Sequence, residues 1–180
     1  MLRITIPAVE KFDEAKGEFI YSAERTLQLE HSLISLSKWE SKWCKPFLSK
    51  DGFTVEETID YIKCMTITQN VPPEVYDNIT NEIIQEVSAY IEAPMTATWF
   101  SKEHGGPPSR ETVTSELIYY WMIALQIPFE CEKWHLNRLL TLIRVCNVKN
   151  TPPKKRSKRD IMSRNKALNE ARRQQLNTNG

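Results

Sequence analysis

The sequence predicts a mainly α fold: a helical domain of about four or five helices, a short N-terminal β ribbon and a flexible basic C-terminal tail. Three observations predict it. Apolar residues recur at helical spacing through most of residues 29–146, whereas residues 2–7 (LRITIP) alternate and are rich in β-branched side chains. Charge is divided unevenly along the 180 residues: 151–180 hold nine Lys/Arg against Asp160 and Glu170, a net +7. The remaining 15 basic and 21 acidic residues leave 1–150 at −6. An acidic, mainly helical domain, 1–150, therefore carries a basic, partly helical mobile tail, 151–180.

In chain order, strand 2–7 ends at Pro7. EFIYS (18–22) is its expected partner, with EKFDEAKG as the hairpin loop and Gly17 near the turn. A two-stranded ribbon is marginal alone, so it should lie on helices. From residue 24 the chain reads as a helix, with Leu29, Leu33, Leu36, Trp39 and Trp43 on one face, and Pro46 stops it. Lys38, Lys42 and Lys45 keep the opposite face wet.

Thr54 and Glu57 form a capping box for a helix over 54–68, with Val55, Ile59, Ile62 and Met65 as its apolar face. Pro72 and Pro73 open the next helix, whose stripe is Val75, Ile79, Ile83, Val87 and Ile91, with an interruption near Thr80. Residues 94–109 read as a long loop. Ser109 or Thr112 then caps a helix carrying Val113, Leu117, Trp121 and Leu125, which Pro128 breaks. The last core helix covers about 131–146, with Trp134, Arg138/Leu139 and Ile143 in its stripe and Leu136 and Leu140 beside them. Beyond TPPKKRSK (151–158), a short helix over 158–175 has only Ile161, Met162, Leu168 and Leu176 as apolar residues. That is too few for it to pack by itself.

Catalytic signatures are missing from the sequence: there is no phosphate-binding loop, nucleophile elbow, HExxH or EF-hand pattern. His31 reads as a surface or boundary residue, and His104 in KEHGGPP as part of a flexible loop. Cys131 and His135, four apart, would share a helix face as two zinc ligands, but no third or fourth ligand stands at a matching spacing. A packed thiol and a boundary histidine are the better reading. Glu56, Glu57 and Asp60 are what a helix N-terminus favours. The four cysteines, Cys44, Cys64, Cys131 and Cys146, have no CxxC spacing and read as reduced thiols. The expectation is a protein without catalysis, metal or cofactor. No apolar stretch reaches membrane-spanning length and the N-terminus has no secretory pattern, so the expected location is a cytoplasm, with no membrane partner.

Partner binding is where the sequence directs attention. The tail bases Lys154, Lys155, Arg156, Lys158, Arg159, Arg164, Lys166, Arg172 and Arg173 would attract phosphates or an acidic protein surface. Residues 151–180 contain no aromatic residue for base stacking, which favours the protein over nucleic acid. Candidate aromatic anchors are Trp39, Trp43, Trp99, Trp121 and Trp134. For Trp39 and Trp43 core packing is the stronger alternative.

Three stretches, TLQLEHSLISLSKWESKWCKPFL, IYYWMIALQIPFECEKWHLNRLLTLI and ARRQQLNTNG, together resemble the tail assembly chaperones of long-tailed bacteriophages, which are encoded beside the tape measure protein. The resemblance implies a helical, non-enzymatic viral protein of the host bacterial cytoplasm. Its partners would be the phage tape measure protein, coated until the tube forms, and tail-tube subunits. Two other functions suit the same residues: a virion or head-tail structural protein, and a nucleic-acid-binding protein using the basic tail.

Overall fold

A computed structural model describes residues 1–13, 17–49, 52–100, 111–151 and 158–176. Its chain is mainly helical with a short N-terminal antiparallel β ribbon. The ribbon has four strands rather than two: β1 (Leu2–Ile6), β2 (Val9–Asp13), β3 (Glu18–Ser22) and β4 (Arg25–Leu29). Strand β1 pairs with β4, Leu2 opposite Leu29 and Ile6 opposite Arg25, and β2 pairs with β3, Val9 opposite Ser22 and Asp13 opposite Glu18. Both pairs follow one continuous antiparallel register. The ladder lapses only around Pro7, which has no N–H to donate. The partner expected for 2–7 was 18–22; the register instead pairs 18–22 with residues that were read as loop. Gly17 does precede β3 at φ +66°, a left-handed turn conformation that glycine adopts without steric cost.

Residues 25–29, expected to begin the first helix, are strand β4. Leu27 and Leu29 alternate with Thr26 and Gln28, a period of two, and both leucines are buried. The C-terminal end of β4 is also paired on its second edge, through an isolated antiparallel bridge between Leu29 and Thr66. Glu30 N–H donates to the Met65 carbonyl (2.9 Å), and Ile67 N–H donates to the Gln28 carbonyl (2.8 Å).

Helix α1 (Leu33–Trp43) begins at Ser32, whose hydroxyl accepts from Ser35 N–H while Ser35 Oγ accepts from Ser32 N–H. It ends in the left-handed residue Cys44, φ 51°, two positions before Pro46. Helix α2 (Val55–Met65) has the expected Thr54/Glu57 capping box. Its buried face differs from the expected one: Tyr61, Ile62 and Met65 are buried, Ile59 is half-buried, and Val55 is exposed.

The helix expected after Pro72 is two pieces. A 3-10 turn, Pro73–Asn78, precedes α3 (Asn81–Glu92), and Thr80 caps the second piece. Helix α4 (Ser115–Ala124) is capped by Thr114, and it buries Ile118 and Met122 while Leu117 and Trp121 are half-buried. The expected 131–146 helix is likewise divided, into a 3-10 turn at Phe129–Lys133 and α5 (Leu136–Asn150).

One core gathers Ile4, Ile6, Leu27 and Leu29 from the ribbon with Leu33, Leu36, Trp39, Ile62, Ile118 and Leu139 from the helices. The ribbon thus rests on helices, as its own marginal stability requires. The chain divides into two compact units, Met1–Asn147 and Val148–Gly180. Within the second, α6 (Lys158–Leu176) is a 19-residue helix, and every side chain described on it is exposed.

Candidate partner-binding surface

The KWESKWCKPF stretch (38–47) is a joint between elements. Trp39 is fully enclosed, and its Nε1–H donates to the Glu57 carbonyl at 3.0 Å. Its ring meets Phe47 and Phe53 edge-on, each at 5.2 Å between centroids. Trp43, half-buried, donates to Asp60 Oδ2 at 2.9 Å. Lys42 and Lys45, expected on a separate wet face, instead fold onto α2: Lys42 pairs with Asp60 Oδ1 and Lys45 with Glu57 Oε1. The lysine stems reach along the helix so that buried carboxylates meet partly wet ammonium heads.

These pairs set the local electrostatics. The Lys45 hydrogen bond, followed by the Thr54 N–H, holds the Glu57 carboxyl below its ordinary range. Burial pushes the Asp60 carboxyl up, but bonds from Lys42 and Trp43 outweigh it, and the result is a lowered pKa. The Asp60 bond raises Lys42. Glu40, between the two tryptophans, is buried and accepts from Phe47 N–H at 2.8 Å and from Ser115 N–H at 2.7 Å. The acids and tryptophans of this region are therefore used in holding α1, α2 and α4 together.

The histidines expected at the boundary are inside. His31 is 2% exposed, with Nδ1 2.5 Å from the Tyr61 hydroxyl and its ring 5.1 Å from that of His135, edge to face. Burial, with the charge of His135 second, pushes His31 down to about 3. His135 Nε2–H donates to the Tyr90 carbonyl at 3.0 Å, and Nδ1 accepts from Asn137 N–H at 3.3 Å. Both ring nitrogens are thus engaged by the neutral form, and burial lowers this pKa too. Cys131 is buried in the 3-10 turn before His135, as a packed thiol. His104 lies outside the described residues. No group of three or more His, Cys, Asp or Glu suited to a metal ion occurs among the described residues. No described helix is long and apolar enough to cross a membrane.

What remains exposed defines the surface available to a partner. Lys158, Arg159, Arg164, Lys166, Arg172 and Arg173 are all exposed on α6, whereas Lys154, Lys155 and Arg156 lie outside the described residues. Of the candidate aromatic anchors, Trp39 belongs to the core. Trp43, Trp121 and Trp134 are half-buried, and the Arg138 guanidinium covers the Trp134 ring at 4.2 Å. Trp99 is 82% exposed, beside a shallow groove with Phe100, Leu140 and Arg144.

The ribbon adds three aromatic residues absent from the expected set: Phe12, Phe19 and Tyr21, at 54%, 68% and 71% exposure. Phe12 and Phe19 face each other across the ladder, 5.0 Å between centroids. The sequence signal for them is the alternation in KFD, expected as hairpin loop, and in EFIYS, expected as the ribbon strand pairing with 2–7. No protein-family model, curated protein or solved structure matches this chain.

Chemically, these exposed groups offer charge, aromatic area and hydrogen-bond donors on open surfaces. The six exposed bases of α6 stand against Asp160 and Glu170, so this helix carries +4.

Proposed function

We propose that this protein is a non-enzymatic assembly chaperone of long-tailed phage tails, acting in the host bacterial cytoplasm, whose client is the tape measure protein. The observation that carries the reading is α6: a 19-residue cationic helix whose described side chains are all exposed, including Met162, Leu168 and Leu176. A helix of this composition gains little by standing alone, because sparse apolar contacts do not offset its ordering entropy. It gains from lying along a second helix that offers carboxylates and an apolar seam. A tape measure protein is a long helical chain that exposes such seams until the tube encloses it. The sequence resemblance supports the same assignment.

The test is capture of the tape measure protein by the full chain carrying Arg164→Glu, Lys166→Glu, Arg172→Glu and Arg173→Glu. A drop of at least ten-fold in pull-down, together with weakening of the wild-type complex by salt, supports the reading. Unchanged capture overturns the role of the tail. A nucleic-acid-binding protein would instead bind random duplex DNA at about 0.1 M salt and lose affinity steeply as salt rises. A virion or head-tail structural part would be present at stoichiometric level in purified particles.

A further inference from the structure

The continuous register of the ribbon has a consequence for its aromatic face. Side chains alternate between faces along a strand, and opposite residues share a face. Leu2, Ile4 and Ile6 lie opposite Leu29, Leu27 and Arg25, and the same alternation places Glu10 and Phe12 opposite Tyr21 and Phe19 on the continuation of that face. On β1 and β4 this face is buried in the core, with Ile4 at 2% and Leu27 at 0% exposure. On β2 and β3 it is uncovered. A two-stranded ribbon with one bare aromatic face is a marginal element that gains from being covered.

The charges state which cover suits it. Residues 9–24 hold Glu10, Asp13, Glu14, Glu18 and Glu24 against Lys11 and Lys16, a net −3. Helix α6 carries +4 and exposes Met162, Leu168 and Leu176. At about 100° per residue these three fall within roughly one third of the helix circumference, a single apolar seam. Its 19 residues span about 28 Å, against about 17 Å for five ribbon residues, so one helix reaches over the whole β2–β3 face.

From this complementarity we infer that the occupant of the aromatic ribbon face is helix α6 of a second copy of this chain. Each copy offers one ribbon and one helix, so the contact is head-to-tail and copies can extend into a chain or close into a ring. This self-contact uses the ribbon, which client capture does not need, while client and neighbouring copy compete for the same cationic helix.

The experiment uses full-length chains in sedimentation velocity. Wild type should associate at about 100 µM in about 0.05 M salt and dissociate as salt rises to about 0.5 M. A ribbon variant (Phe12→Ser, Phe19→Ser, Tyr21→Ser) and a helix variant (Arg164→Glu, Lys166→Glu, Arg172→Glu, Arg173→Glu) should each be monomeric. Mixed together they should form a pair of twice the 21.0 kDa chain mass that grows no further, because one supplies the helix and the other the ribbon. A second ribbon variant, Glu10→Lys with Glu24→Lys, should lose self-association and regain it with the charge-reversed helix variant. A monomeric wild type at low salt, or two variants that do not pair when mixed, overturns the inference. The ribbon variant should still capture the tape measure protein, which keeps this test distinct from that of the proposed function.

Discussion

Glu40 Oε2 accepts the backbone N–H of Ser115 at 2.7 Å, across 75 residues of sequence. Ser115 is the first residue of α4, so a carboxylate in the middle of α1 satisfies one of the orphan donors at another helix's N-terminus. The other oxygen holds Phe47 N–H at 2.8 Å, which fixes the turn after α1. Replacing Glu40 with Ala strands two buried donors and should cost about 2–4 kcal/mol in chemical denaturation. Glu40→Gln keeps one acceptor and should cost roughly half as much. Equal, small losses for both would mean that the donors find other partners.

Trp39 is the largest fully enclosed side chain, and it binds α2 by both area and its indole N–H. Trp39→Ala should lower stability by about 3–5 kcal/mol. Trp43→Phe removes only the donor to Asp60 at a half-buried position, and should cost about 1 kcal/mol. Urea midpoints at constant m-value would give both numbers, and their order is the critical outcome.

Stability should fall on acidification from neutrality. The folded pKa values of His31 (about 3) and His135 lie below the unfolded value near 6.5, so the unfolded chain binds more protons as pH drops below that value. The stability that the neutral histidines provide is complete above about pH 7, and the His31 share is reduced by about 2 kcal/mol at pH 5. Below about pH 4.5 the lowered carboxyls of Glu57 and Asp60 lose their contribution as well, in the same direction. Melting temperatures at pH 7.5, 6 and 5 should decrease in that order; a flat profile would contradict the burial of the neutral pair.

Cys44 ends α1 at φ 51°, a conformation costly for any residue with a Cβ. Cys44 is exposed, so Cys44→Gly loses little packing. The relief of αL strain and the extra entropy of glycine in the unfolded chain act oppositely, and the net should be a gain of up to about 1 kcal/mol. A loss in thermal denaturation would show that the side chain contributes something that its exposure conceals.

The basis for these outcomes was unevenly legible in the sequence. The Thr54/Glu57 box, the core role of Trp39 and the interruption near Thr80 follow from local patterns, since capping and helical spacing act within one or two turns. Strand β4 was not legible, because Leu29 fits a period of two and a period of 3.6 equally well, and only pairing with Leu2 decides between them. The exposure of Val55 was not legible either, because the apolar spacing in α2 fits two overlapping faces and only packing against α1 selects the one with Tyr61, Ile62 and Met65.

The partner surface divides in the same way. The cationic composition of α6 was plain from the residues, as was its shortage of apolar groups. Which aromatics are exposed was not, because alternation puts Phe12, Phe19 and Tyr21 on one strand face and only the rest of the fold decides whether that face is covered.

By itself, the sequence determined the helical class, the N-terminal ribbon, the Thr54/Glu57 cap of α2 and the separation of an acidic body from a basic end, all set by neighbours within a few residues. The tertiary structure alone decided where the long-range partners lie: Glu40 under α4, the lysines on Glu57 and Asp60, the two histidines enclosed together, and the ribbon's aromatic face left bare. The reason is physical. A periodicity states which residues share a face, but burial depends on what the rest of the chain brings against that face.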